Sequence, residues 1–110
     1  MYLAMNRFKV RAGREDDFER VWATRDSHLK SVPGFLSFRL MRGQPVHGRA
    51  PAEGEPFTLY ASHTAWESEA AFQDWTRSEA FRAAHRGAGG HGDLYLEPPV
   101  LETFETVQEL

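Results

Sequence analysis

Cysteine is absent from this 110-residue chain. Disulfides, thiolate–metal sites, iron–sulfur clusters and thiol nucleophiles are therefore excluded, so metal chemistry would have to rest on His, Asp, Glu, Asn or Tyr side chains. The chain also lacks an excess of positive charge, since its formal net charge is -3 at pH 7. We therefore expect neither nucleic acid nor an anionic membrane as a partner.

Long apolar segments are missing too. No segment approaches the roughly 18 apolar residues of a membrane span, and the N-terminus lacks the basic and apolar regions of a signal peptide. We therefore expect a cytoplasmic protein. The sequence has no Gly-rich phosphate loop, no GxSxG nucleophile elbow and no histidine pair at a recognisable zinc spacing, which argues against nucleotide, hydrolase and zinc sites.

Apolar residues are nevertheless plentiful, at 41% of the chain, and aromatic residues make up 13%. This is enough material for one compact core but not for two. We therefore predict a single domain over residues 1–110.

Hydrophobic periodicity predicts four strands and two helices. Alternation predicts strands from Tyr2 to Val10, Gly34 to Arg42, Phe57 to Trp66 and Val100 to Glu109. Helical spacing after Gly13 runs through Phe18, Val21, Trp22, Arg25 and Leu29, and Ser68 is predicted to cap a second helix from Glu69.

The resulting order, βαββαβ, is typical of a ferredoxin-like α+β fold, in which two helices cover one face of a four-stranded antiparallel sheet. The helices leave the other face uncovered. Because that face also carries large apolar side chains, we predict a homodimer that covers it.

The helical segment from Phe72 to His85 carries a large indole, Trp75, and a lone imidazole, His85. The ten positions between them (85 − 75) would separate them by about 15 Å on a straight helix. We predict an interruption at residues 76–78, with Ser78 capping a further turn, so that a kink turns both side chains toward one cavity. The Gly-rich segment 87–99 is predicted to flank the mouth of that cavity.

Asn6 lies on the apolar side of the first predicted strand. Burying an amide without a hydrogen-bond partner costs roughly 1 to 3 kcal/mol. Either a backbone group satisfies this amide, or it serves a ligand.

Several short motifs carry a family resemblance. They are Asn-Arg-Phe near the start, Pro-Gly-Phe after the first helix, Thr-Ala-Trp-Glu-Ser at the end of the third strand, and Ala-Phe-Gln-Asp-Trp followed by Phe-Arg-Ala-Ala-His. Over nearly the whole chain the sequence resembles the antibiotic-biosynthesis-monooxygenase (ABM) superfamily and, within it, the IsdG-type bacterial heme-degrading monooxygenases. The resemblance implies a dimer whose sheets form a β-barrel, with one heme per subunit between the second helix and the sheet.

The resemblance also implies a role for each of three residues. His85 corresponds to the axial ligand, which binds the heme iron through a neutral imidazole nitrogen. Asn6 is similar to the family's distal amide, which can donate a hydrogen bond to an oxygen species on the iron. Trp75 resembles the bulky residue that presses on the macrocycle and distorts it.

The implied activity is heme degradation, in which heme is both cofactor and substrate. An external electron donor, either a reductase or a small reductant, reduces the iron, O2 binds, and a ring carbon is oxidised until the porphyrin opens and iron leaves. By their position, Arg77, Arg82 and Arg86 could pair with the heme propionates.

Two alternatives compete with this interpretation. One is a cofactor-independent monooxygenase of a quinol or polyketide-like aromatic, in which Asn6, Trp75 and His85 would orient the substrate and assist proton transfer. The other is a non-enzymatic heme-binding carrier or sensor. The fold alone does not choose between them, because one scaffold hosts several activities.

Overall fold

A four-stranded antiparallel sheet forms the centre of the molecule. Its strands are β1 (Tyr2–Arg11), β2 (Phe35–Arg42), β3 (Phe57–Trp66) and β4 (Val100–Glu105), in the order β2-β3-β1-β4. The computed structural model describes residues 1–25, 28–44, 56–78, 81 and 93–110. Within these residues the sheet is open, with β2 and β4 at its edges. With two helices added, this is the predicted ferredoxin-like α+β fold.

The first helix, α1 (Glu15–Thr24), is shorter than its apolar spacing suggested. The predicted continuation to Leu29 is wrong, because the backbone of Arg25 is extended and Leu29 begins a separate 3-10 helix. Thr24 contributes to the stop, since its hydroxyl bonds back to the carbonyl of Arg20 at 2.9 Å. Leu29 is still buried in the core, so the apolar spacing correctly identified a core residue although the element changed.

The second helix, α2 (Glu69–Thr76), begins where the sequence predicts. The side chain of Ser68 accepts a hydrogen bond from the backbone N–H of Ala71 at 3.1 Å, which satisfies one of the free donors of the first turn. This cap sets the residue at which α2 begins.

The predicted interruption after α2 is confirmed, because the helix ends at Thr76. The hydroxyl of Ser78 donates to the carbonyl of Trp75 at 2.6 Å and accepts from the backbone N–H of Phe81 at 3.1 Å, as expected of a new cap. The remainder of this predicted turn, including His85, lies outside the described residues. No helix of the described residues is long and apolar enough to cross a membrane.

The last strand, β4, ends at Glu105, four residues before the predicted Glu109 (109 − 105). Its partner β1 begins at Tyr2, which faces Glu105 in the ladder. One further backbone hydrogen bond joins Thr106 to Met1 at 3.1 Å. The strand therefore stops because its partner strand has ended.

The helix-facing side of the sheet carries two separate core clusters. The first contains Ala4, Leu29, Trp66, Phe72 and Trp75. The second contains Phe8, Val10, Phe18, Tyr60 and Leu94. Asn6 lies between them on β1, because side chains of alternate strand residues share one face.

A partly buried polar contact joins α1 to the sheet. The hydroxyl of Tyr60, which is fully buried, donates to the carboxylate of Glu19, and the same carboxylate pairs with Arg42 of β2. Arg42 also donates to the Tyr60 oxygen at 3.1 Å. The Tyr60 hydrogen bond, followed by that from Arg42, lowers the pKa of Glu19 below its ordinary value of 4.5.

This depressed pKa predicts a loss of stability in acid. A carboxyl group whose pKa is lowered by folding stabilises the folded state fully above pH 4.5, and that contribution disappears as the pH falls through the folded-state value. Thermal unfolding followed by circular dichroism from neutral pH down to about pH 3 should show a smaller fall in Tm for Glu19→Gln than for the wild type. Tyr60→Phe, which removes the strongest cause of the shift, should give an intermediate fall. Parallel curves for the three proteins would contradict this interpretation.

Gly34 fixes the approach of α2 to the sheet. Its φ angle is +82°, and an added Cβ would overlap the Cβ of Ala71 on α2. Gly13 offers a matched comparison, because its φ angle is +91° but an added Cβ there would meet nothing within 4 Å. Both substitutions by alanine should cost roughly 1 to 2 kcal/mol of backbone strain, and Gly34→Ala should cost about 2 kcal/mol more through overpacking. Urea unfolding measures both, and equal losses would contradict the predicted overlap.

Candidate functional site

A cavity of about 1110 Å³ lies between the helices and the sheet. The helix-facing side of the sheet forms its floor, and both helices contribute side chains to its walls. Pockets for drug-sized ligands are roughly 300 to 1,000 Å³, so this cavity suits a large ligand. Most of its lining is apolar, and the aromatic members among the described residues are Phe8, Trp22, Phe38, Phe72, Trp75, Phe81 and Tyr95.

Trp75 forms part of the cavity wall while the aromatic core holds it in place. Its ring centroid lies 5.3 Å from that of Trp66 and 4.9 Å from that of Phe81, which meets it edge-on. Only 9% of Trp75 is exposed. A ligand in the cavity would therefore meet an indole that its neighbours prevent from rotating away.

Asn6 lies on the cavity floor. It sits on the central strand β1, between Ala4 and Phe8, which also line the cavity. Across the sheet it faces Ser62 of β3 and Leu101 of β4. The floor is thus apolar at both ends of this stretch of β1 and polar at Asn6.

Two arginines that the sequence interpretation did not select also line the cavity, Arg11 and Arg25. The guanidinium of Arg25 lies 4.7 Å from the ring centroid of Trp22, a distance typical of a cation–π contact. Burial lowers the pKa of Arg25, and the electrostatic interaction with the Tyr95 phenol opposes that shift. Arginine stays protonated even so. The sequence signal for Arg25 is its helical spacing after Trp22, which places it on the same side of the predicted helix as the apolar residues.

The arginines that the sequence analysis proposed as partners of the heme propionates are not among the described residues that line the cavity. Arg77 is exposed at the end of α2 and is not among the cavity-lining residues. Arg82, Arg86 and the proposed ligand His85 lie outside the described residues.

The segment from Asp93 to Pro99 closes one side of the cavity, and Tyr95 through Pro99 line it. Several bonds attach this segment to β1. The N–H of Leu96 donates to the Lys9 carbonyl at 2.9 Å, the Lys9 ammonium pairs with Glu97 at 3.1 Å, and Arg11 Nε donates to the Asp93 carbonyl at 3.1 Å. The sequence predicted only a loop near the cavity mouth here.

Comparison with known proteins identifies the family. Residues 1–87 match the family model of the antibiotic biosynthesis monooxygenases (ABM). The chain therefore belongs to this family, as the sequence motifs predicted.

The similar proteins include enzymes named for heme degradation. A heme oxygenase (mycobilin-producing) from Mycobacterium tuberculosis is 36% identical over 83 residues, which cover 76% of this chain and 69% of that protein. A heme-degrading monooxygenase from Bacillus thuringiensis is 29% identical over 101 residues, covering 88% and 82%. The structure of the heme-degrader MhuD from Mycobacterium tuberculosis, with two hemes bound in its active site, is 32% identical and has a TM-score of 0.68, covering 100% of this chain and 99% of that chain.

Proposed function

We propose that this protein is a heme-degrading monooxygenase, which binds heme and opens the porphyrin with O2 and electrons from an external donor, releasing iron. The observation that carries the proposal is the large aromatic cavity with Asn6 on its floor and Trp75 in its wall. The names of the similar proteins support it.

The lining suits a flat, mostly apolar macrocycle that carries two carboxylates. The indoles of Trp22 and Trp75 and the ring of Phe8 offer aromatic surface to a porphyrin. Arg11 and Arg25 supply positive charge for the propionates, as arginine does for carboxylates in general. This charge also favours a ligand that carries carboxylates, such as heme, over a neutral quinol, because a guanidinium pairs well with a carboxylate.

Three residues then have distinct roles. We propose that Asn6 donates a hydrogen bond from its amide toward the reacting oxygen. Trp75, held by Trp66 and Phe81, presses on one face of the macrocycle and favours a distorted ring. His85 follows Phe81 along the chain, and we propose that it ligates the iron, with Arg82 and Arg86 as further partners of the propionates.

We further propose that two copies pair through the sheet face that the helices leave uncovered, giving a dimeric β-barrel. The strand register places Met41, Val100 and Phe104 on that face, and all three are exposed. A second copy would remove these apolar side chains from water.

Hemin titration of the purified protein tests the function. We expect a saturable Soret shift with one heme per subunit, its loss in His85→Ala, and decay of the band with iron release when ascorbate is added in air. Asn6→Ala should still bind heme but degrade it more slowly, because it removes a hydrogen bond and not a ligand. Binding without decay under several reductants would favour the carrier, and failure to bind would favour the quinol monooxygenase.

A matched pair of arginine variants tests the charge in the cavity. Arg25→Gln should weaken heme binding roughly tenfold, because it removes a partly buried charge-assisted contact. Arg20→Gln, on the helix that precedes Arg25, should leave the heme affinity unchanged, because Arg20 is exposed, pairs with Asp17 and does not line the cavity. Equal affinities for Arg25→Gln and the wild type would contradict this role.

A further inference from the structure

Ser62 is a polar residue of the cavity floor to which neither the sequence motifs nor the proposed mechanism assigns a role. It lies on β3, lines the cavity and is only 6% exposed. In the ladder between β1 and β3 it stands directly opposite Asn6. Opposite residues in an antiparallel pair have Cα atoms about 4.5 to 5.5 Å apart and share one face of the sheet.

The neighbouring hydroxyl, that of Thr64, shows how such a group is normally satisfied. Thr64 Oγ1 accepts from the indole N–H of Trp66 at 2.9 Å and donates to the Ala4 carbonyl at 3.3 Å. The side chains of Ser62 and Asn6, in contrast, make no hydrogen bond to any other residue that the structure describes. Ser62 is buried, and buried polar groups are almost always hydrogen-bonded in folded proteins, so its hydroxyl calls for a partner within the cavity, beside the partly exposed amide of Asn6.

The residues that face Ser62 and Asn6 on the outer strands are apolar, so a hydrogen-bonding partner for the pair is expected in the cavity. On β2, the residue opposite Ser62 is Leu40, and on β4 the residue opposite Asn6 is Leu101. Apolar side chains therefore flank the pair on both outer strands. An amide and a hydroxyl side by side offer donors and acceptors to one small molecule, and a buried water needs roughly two to four such partners.

We propose that Ser62 and Asn6 form a paired hydrogen-bonding site for one small ligand that accepts hydrogen bonds, such as a water, an oxygen molecule or a small anion. The inference rests on the proposed heme-binding function and adds a second residue to it. The two groups are not equivalent. The Asn6 nitrogen only donates, whereas the Ser62 hydroxyl donates and accepts at once, so it can hold the ligand while it remains bonded to a second water.

Fluoride binding to the ferric heme complex tests this site, because fluoride on the iron is stabilised by nearby hydrogen-bond donors. Ser62→Ala should weaken fluoride binding roughly tenfold, the effect expected from the loss of one hydrogen bond to a charged ligand. Ser62→Thr, which keeps the hydroxyl, should stay within about threefold of the wild type. Ser37→Ala makes the same change on β2, at a residue that faces away from the cavity, and should have no effect.

The heme-free proteins provide a second readout, which separates ligand binding from a role in the fold. Ser62→Ala should not lower Tm, because the hydroxyl bonds to no described residue. An unchanged fluoride affinity in Ser62→Ala would overturn the proposal while leaving heme binding intact, and so would equal losses in Ser62→Ala and Ser62→Thr, which would indicate sensitivity to shape. If the wild type formed no heme complex, the proposed function would fail and this site with it.

Discussion

The ten-residue ladder between β1 and β3 is the constraint on which the rest of the structure depends. It runs without a break from the pair Tyr2 and Trp66 to the pair Arg11 and Phe57. A slip of one residue would turn every side chain of one strand to the opposite face. The register therefore decides that Trp66 enters the core and that Asn6 and Ser62 meet on the cavity floor. The buried residues of the ladder, among them Val10 and Trp66, hold this register in place, because a one-residue slip would expose them to water.

Local sequence patterns predicted most of this framework. Alternation located the strands, and β3 has the predicted bounds. Buried residues alternate along the central strands β1 and β3, whereas the edge strands β2 and β4 carry none. The cap at Ser68 was visible because a capping serine acts on a backbone N–H three residues away. Asn6 was recognisable as an amide on an apolar face. The described residues place it, with Trp75, on the cavity surface, while the place of His85 stays a prediction.

The features that the sequence did not reveal depend on contacts between distant segments. Leu94 belongs to the second core cluster and Tyr95 bridges to Val10, yet both come from a segment without periodicity. Arg25 was visible only as a member of a helical stripe, and its role depends on where α1 ends. Ser62 looked like an ordinary strand residue, because its significance comes from the residue opposite it on another strand. Such relationships follow from register and topology, which no local window of sequence contains.

The cavity is bounded by two kinds of structure. Its floor belongs to the two central strands, where each residue is tied into a continuous hydrogen-bonded ladder. Its side from Asp93 to Pro99 is attached to β1 by a few individual bonds, among them an ion pair between Lys9 and Glu97 that is partly open to solvent. Opening this side would break those bonds and remove Leu94 from the second core cluster, whereas moving the floor would require unfolding the sheet. The polar groups of the floor, Asn6 and Ser62, therefore keep their spacing as long as the sheet is folded.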